Sequence, residues 1–303
     1  MYQSDMEVFI KQLLNGIQAG SIYALVALGY TMVYGIVKLI NFAHGDFIMV
    51  GAYVTLLTVP LLVSAGIPAW LCVIAAVVVC ALLGVITERV AYKPLRGAPS
   101  LCVLITAIAV SLLIENLFLL KFTSTPQSIP TIITVPDVTI GGIRITGLTV
   151  LTIVLSCIIM AALQLFVLKT RMGKAMRAVS EDAQAAALMG INSNVTISLT
   201  FAIGSGLAAV AAVMYCCMYP LADPYMGTML GLKAFIAAVL GGIGSIPGAM
   251  VGGVLIGIVE SMSKALLPSA YSGLADAVVF GILIIVLLVK PTGIFGRNIG
   301  EKV

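Results

Sequence analysis

Charge is what this chain has least of. Only 9% of its 303 residues are charged and 61% are hydrophobic, with a mean hydropathy of +1.18. Soluble domains carry about 25% charged residues, so most of this surface has to face lipid. No polar stretch is long enough to fold as a separate soluble domain, which leaves one membrane domain, 1–303. The net charge of +4 is no nucleic-acid signature, because the cations sit at the ends of apolar runs. There is one histidine, His44, and all six cysteines lie inside apolar segments. No CxxC or Cys/His spacing occurs, so neither a metal nor a redox site is expected. An intramembrane hydrolase would need a coupled set such as Gly-x-Ser-x-Gly with a histidine, or paired aspartates. Gly204-Ser205-Gly206 does not match, and an enzyme is not expected. The glycine-rich string Leu240–Gly248 lacks Gly-Lys-Ser/Thr, so it is not a nucleotide-binding loop. The first eleven residues carry Asp5, Glu7 and Lys11, so no cleavable signal peptide is expected.

What remains is a series of apolar runs. A spanning helix needs roughly 20 such residues. Eight runs qualify: 8–36, 47–65, 68–88, 100–120, 148–168, 195–217, 248–267 and 274–290. The first is long enough for one tilted helix plus part of a second element. The piece 229–243 is too short to span alone and predicts a broken or re-entrant segment, with a break at Gly244–Pro247. Lysine and arginine set the orientation. Arg89, Lys93 and Arg96, then Lys169, Arg171, Lys174 and Arg177, then Lys290, Arg297 and Lys302 fall on one side, which the positive-inside rule makes the cytoplasm. The N-terminus is then outside and the C-terminus inside. The region 121–147 becomes the longest external loop. Within it, Val135–Thr146 alternates around Gly141-Gly142, a hairpin signal.

Three interruptions carry the functional signal. The first is a polar island from Lys169 to Asn194. Four cations open it, and a short amphipathic helix over 181–189 follows. Ser180 is a suitable N-cap, and Glu181 and Asp182 complement the positive helix start. Ala185, Leu188 and Met189 form one apolar face, and Gly190 suits the left-handed position that ends a helix. Such a helix serves either as an interfacial connector or as a protruding element that slots into a groove on a soluble partner. Alanines at 183, 185, 186 and 187 favour close approach to a partner. A lipid-lying helix would prefer Trp, Phe and flanking Lys. The second interruption is Asn41-Phe42-Ala43-His44-Gly45-Asp46. It reads as a tight cytoplasmic turn, with Asn41 or His44 capping, or as a gate lining a pathway. The third is the Gly/Pro cluster 240–248 followed by Gly252, Gly253 and Gly257. Its small-xxx-small spacing lets helices touch, and a broken helix at a pathway has the same composition. Of the embedded ions, Glu115 and Lys233 are expected to snorkel to an interface. Glu260 lies deeper and needs a hydrogen-bonded partner or a pathway role.

Four strings then carry a family resemblance: NGIQAGSIYALVALGYTMVYGIVKLINFAHGDFIMVGAY (15–53), RMGKAMRAVSEDAQAAALMGIN (171–192), LKAFIAAVLGGIGSIPGAMVGGVLIGIVE (232–260) and VLLVKPTGIFGR (286–297). In order and over nearly the whole chain, they resemble the permeases of bacterial branched-chain amino-acid ABC importers, LivH type. Region 121–147 is the least similar. The resemblance implies an all-α polytopic permease in the bacterial inner membrane, of the type shared with ribose and vitamin B12 importers. It implies a second, LivM-like permease, two cytoplasmic ATP-binding subunits that use ATP and magnesium, and an external substrate-binding protein. This chain itself would bind no cofactor. The loop 171–192 then resembles the coupling-helix loop, with Ser180, Glu181, Asp182, Ala185, Ala186, Leu188, Met189, Gly190 and Ile191 as its ATPase-coupling residues. Asn41, His44, Asp46, Gly241, Gly242 and Glu260 are the pathway or gate candidates. A urea or short-chain amide permease shares many of these strings and remains open. From other classes, so do a passive channel and an ion-coupled transporter using Glu115 and Glu260.

Overall fold

The computed structural model describes residues 2–38, 41–140, 143–268 and 271–296. Gly141-Gly142, Arg297 and Lys302 lie outside the described residues. The chain is overwhelmingly helical: α1 (Tyr2–Val37), α2 (His44–Ser64), α3 (Cys72–Thr87), α4 (Ser100–Phe122), α5 (Gly147–Lys169), α6 (Arg171–Glu181), α7 (Ala183–Leu188), α8 (Ser193–Met218), α9 (Met226–Gly241), α10 (Ile246–Leu266) and α11 (Leu274–Val289). Helices dominate because hydrocarbon offers no partner to a backbone amide, so each segment bonds to itself. Seven of the described helices are long and apolar enough to cross a membrane. The chain is an all-α polytopic membrane protein.

Two boundaries differ from expectation. The first apolar run is one continuous helix of 36 residues, with no second element. The run expected as an eighth span forms only the 16-residue α11. At 1.5 Å per residue that is about 24 Å, less than the ~30 Å hydrocarbon core. Pro291 explains its end: the residue before a proline is pushed out of the helical region, and Lys290 has φ −140° and ψ 85°.

The chain divides into two compact units. Unit 1 comprises Met1–Thr31, Val135–Met160 and Lys233–Val303. In it α1 and α10 cross at backbone contact. A Cβ added to Gly257 would collide with the backbone of Gly20, and one on Gly253 would meet Ala24. The small-residue spacing of α10 is thus a helix–helix seam. Gln18 of α1 accepts a hydrogen bond from the Thr149 hydroxyl of α5 at 2.8 Å. Strands β2 (Val138–Ile140) and β3 (Ile143–Ile145) pair antiparallel, Val138 opposite Ile145, as the alternation predicts. Between α9 and α10 the helix breaks over 242–245. Ser245 caps α10 by accepting from the Gly248 amide at 3.2 Å. The amides of Ile294 and Phe295 donate to the Leu240 and Gly241 carbonyls at 2.8 and 3.0 Å, closing the end of α9.

Unit 2 comprises Met32–Thr134 and Ala161–Leu232. Its centre is α2, α3 and α8. Gly51 of α2 lies against Ala209 and Ala212 of α8, and Gly84 of α3 against Ser205 of α8. Tyr53 stacks obliquely on Phe118 and Phe122 of α4 at 5.1 and 4.5 Å. A two-residue ladder joins β1 (Gln127–Ser128) to β4 (Leu221–Ala222).

Two outcomes test this account. Gly257→Ala forces a methyl into the α1–α10 seam and should destabilise the folded chain by about 1–3 kcal/mol. Gly281→Ala, where a Cβ meets nothing within 4 Å, should be neutral or stabilising by about 0.5–1 kcal/mol; thermal unfolding of both purified variants compares them. In the hairpin, the Arg144 guanidinium donates to Asp137 at 2.7 Å. That hydrogen bond, then the Gly147 amide, holds the Asp137 carboxyl below its ordinary 3.8. A depressed carboxyl stabilises above its unfolded value and loses that contribution as pH falls through the folded one. Hydrogen-exchange protection of Val138–Ile145 should therefore be constant down to about pH 5 and fall only below about 3.8.

Candidate functional site

The polar island is two helices, not one. Thr170 caps α6, its hydroxyl accepting from the Gly173 amide at 3.0 Å. Gly173, Met176 and Val179 are buried, while Arg171, Lys174 and Arg177 recur at the same spacing on the remaining face. That interleaved i, i+3 pattern of apolar and basic residues is the sequence signal of this helix. Ser180 is not an N-cap: it lies within α6, its hydroxyl donating to the Arg177 carbonyl at 2.7 Å. Glu181 ends α6. The cap is Asp182, extended at φ −155°, with Oδ1 accepting from the Gln184 and Ala185 amides at 2.8 and 2.9 Å.

The far end of α7 closes as expected. Gly190 has φ +82°, a conformation that costs glycine nothing. The Gly190 amide donates to the Ala187 carbonyl and the Ile191 amide to Ala186, both at 3.0 Å, the paired bonds of a Schellman ending. Asn192 then caps α8, accepting from Val195 at 3.2 Å. Within α7 the burial is one-sided. Ala186 is 4% exposed, packed with Val179, Ile197, Phe201, Tyr92, Val103, Ala107 and Val33, with Ile191 at the edge. Leu188 and Met189 are 90% and 83% exposed, and Ala185 is exposed beside them. The apolar face exists and points away from the protein, while Ala186, expected among the partner-facing residues, is instead the buried anchor.

The second site is the break before α2. Asn41 does not cap α2. The N-cap is Ala43, which offers no side-chain bond, and Asn41 Oδ1 instead accepts from the Tyr92 hydroxyl at 2.6 Å. His44 is buried, its ring edge-on to Phe47 at 5.9 Å. Asp46 is buried, with Ser111 and Glu115 of α4 within electrostatic reach. Ser111 is midway along the 23-residue α4. The break is therefore not a superficial turn, and the Glu115 carboxylate lies within electrostatic reach of a buried one.

The third site surrounds Glu260, in unit 1. Its Oε1 accepts from Lys233 and Lys264 at 2.9 and 2.6 Å, and Oε2 from the Tyr23 hydroxyl at 2.8 Å. Lys233 also pairs with Asp276 at 2.8 Å. Four helices, α1, α9, α10 and α11, thus share one ionic cluster. Lys233 is buried and doubly paired rather than snorkelling, because both its carboxylates lie within the unit. One helical turn from Lys233, Glu260 and Asp276 begins a groove of about 150 Å³ lined by Ile236, Leu240, Ile256, Val259, Val279 and Val286. Gly241 and Gly242 end α9 against Gly248 and Gly296. Among the described residues no group of three or more His, Cys, Asp or Glu is arranged to hold a metal.

Comparison with known proteins decides the class. The family described as "Branched-chain amino acid transport system / permease component" matches residues 12–288, from α1 into α11. The chain belongs to this family. It is 44% identical to the high-affinity branched-chain amino acid transport system permease protein BraD of Pseudomonas aeruginosa, over 97% of this chain and 98% of that one. It is 45% identical to the corresponding LivH of Escherichia coli K12, again over 97% and 98%. A probable LivH of Methanocaldococcus jannaschii is 31% identical over 94% and 92%. No solved structure matches it significantly. All three sites of this permease fall inside the matched region.

Breaking a buried ion pair by removing one partner costs about 3–5 kcal/mol. Glu260→Ala in this permease should lower stability by that order, and Glu260→Gln, which can still accept from Tyr23, by less. Thermal unfolding of the purified variants measures both.

Proposed function

We propose that this chain is the permease subunit of an ATP-driven importer of branched-chain aliphatic amino acids in the bacterial inner membrane. It works beside a second, related permease, with two cytoplasmic ATP-binding subunits and an external binding protein. Its N-terminus is outside and its C-terminus is cytoplasmic. ATP and magnesium act on the partner subunits, and this chain only moves. Near-complete coverage by permeases of such systems supports the substrate class.

The observation that carries the mechanism is α7. It is capped at both ends, anchored by Ala186, and presents Leu188 and Met189 outward. Fully burying a Leu or Met side chain is worth about 1.5–3 kcal/mol. Seated in an apolar groove of an ATP-binding subunit, the pair would contribute about 3–6 kcal/mol, enough to hold a cyclic load. Asp182 fixes the start of α7 and Gly190 and Ile191 its end. The candidate pathway elements are the helix breaks, Asn41–Asp46 in unit 2 and Gly241–Gly242 in unit 1, with Glu260 bracing unit 1. Closure of the ATP-binding pair pushes α7, and the helices tilt to expose the pathway to the loaded binding protein. A ligand shifts such an equilibrium only by its unequal affinity for the two states.

The test is the double variant Leu188→Glu, Met189→Glu in the assembled complex reconstituted into vesicles. Both side chains are exposed, so the chain should still insert and fold. ATP-driven leucine uptake should fall at least about tenfold, the effect of 1.4 kcal/mol. Wild-type uptake would overturn the docking role. Uptake of urea in place of leucine would overturn the substrate.

A further inference from the structure

We propose that Tyr92 is a latch through which the docking state of α7 is passed to the Asn41–Asp46 break. The proposal rests on the reading of α7 as the docking helix and deepens it by naming the positioning residue that links the two sites.

The local backbone is unusual. After α3 the chain runs through a π-helical turn, Glu88–Tyr92, and then a 3-10 turn, Lys93–Leu95. Single π turns inside α-helices recur at functional sites, because the extra residue redirects the side chains that follow. Here it places two buried polar residues on opposite duties. The Glu88 carboxylate, fully buried, accepts from the Ser198 hydroxyl at 2.6 Å and from the Arg96 guanidinium. Arg96 also donates to Asn194 Oδ1 at 2.5 Å. Asn194 and Ser198 lie in the first turns of α8, directly after Asn192, and the Ser193 hydroxyl reaches back to the Ala183 carbonyl at 3.2 Å. The π turn, the start of α8 and α7 are thereby tied into one body.

Tyr92 faces the other way. Its ring packs against Phe201 at 5.5 Å, inside the same apolar cluster that holds Val179, Ala186 and Ile197. Only its hydroxyl leaves that cluster, and it donates to Asn41. Phe42 of the break packs against the same cluster, and the Tyr92–Asn41 hydrogen bond joins the α7 body to the polar side chains of the break. Cores packed to crystal density transmit a displacement rather than absorbing it, so a push on Leu188 and Met189 moves Ala186 and, through Phe201, Tyr92.

The break itself is poised for a second arrangement. Asn41 and Asp46 are 3% and 2% exposed, yet Asn41 Nδ2 and Asp46 Oδ2 have no hydrogen-bond partner among the described residues. Unpaired buried polar groups raise the energy of the state that contains them. A rearrangement that pairs them competes with the one held by Tyr92, and two packings of similar energy are what a switch requires. Releasing the Tyr92–Asn41 bond is the step that lets the break change state.

Tyr92→Phe keeps the ring and deletes the latch. In the reconstituted complex, the number of leucines imported per ATP hydrolysed should fall about tenfold while ATP hydrolysis continues. Asn41→Ala should cause the same loss, and the double variant no more than either alone, because both remove one interaction. A merely structural role would lower uptake and hydrolysis in proportion and leave the ratio unchanged, which overturns the latch. Additive losses in the double variant overturn it too. If Leu188→Glu, Met189→Glu uncouples the complex and Tyr92→Phe does not, the docking role stands and the latch falls. If the α7 variant leaves uptake unchanged, both fall.

Discussion

Hydrocarbon contains no hydrogen-bond partners, and this constraint shapes everything else in the molecule. A helix satisfies it by bonding to itself, but a break in a helix must be covered by other parts of the chain. Each break here is covered in a different way. The end of α9 is closed by the backbone of Ile294 and Phe295. The π turn is held by Glu88, Arg96 and Ser198. The segment before α2 leans on Tyr92. Irregular backbone is affordable only where something is gained, so the breaks and their cover are where mechanics belongs.

The same logic explains what was legible in the sequence. Long apolar runs announced most of the spans, Gly190 announced where α7 stops, and Gly244–Pro247 announced, within two residues, the break between α9 and α10, because these signals are local. The N-cap of α7 was not legible: Ser180, Glu181 and Asp182 include two good caps, and the choice between them depends on which turn buries Val179 and Ala186 against α8 and Tyr92. The direction of the Ala185–Leu188–Met189 face was hidden for the same reason. Periodicity gives a face, and only tertiary packing says which way it looks. Tyr92 was invisible because its partner is 51 residues away, and Lys233 was misjudged because Glu260 and Asp276 come to it from other helices.

Three side-chain caps, Thr170, Asp182 and Asn192, follow one another around the α6–α7–α8 corner. The corner is therefore shaped before any partner arrives. Preorganisation of this kind removes the entropy of ordering a loop from the cost of binding. It also means that force applied to α7 is not lost in bending its connections, which is the property a lever needs.

The cluster around Glu260 has a further consequence. It joins two ammonium groups, Lys233 and Lys264, to two carboxylates, Glu260 and Asp276. A membrane potential acts on net charge, at about 2.3 kcal/mol per elementary charge per 100 mV. A cluster that sums to zero gives the field little to pull on. Buried ions are often the voltage-sensitive part of a membrane protein, but here they let four helices be clamped together while the energised membrane in which they sit goes unfelt.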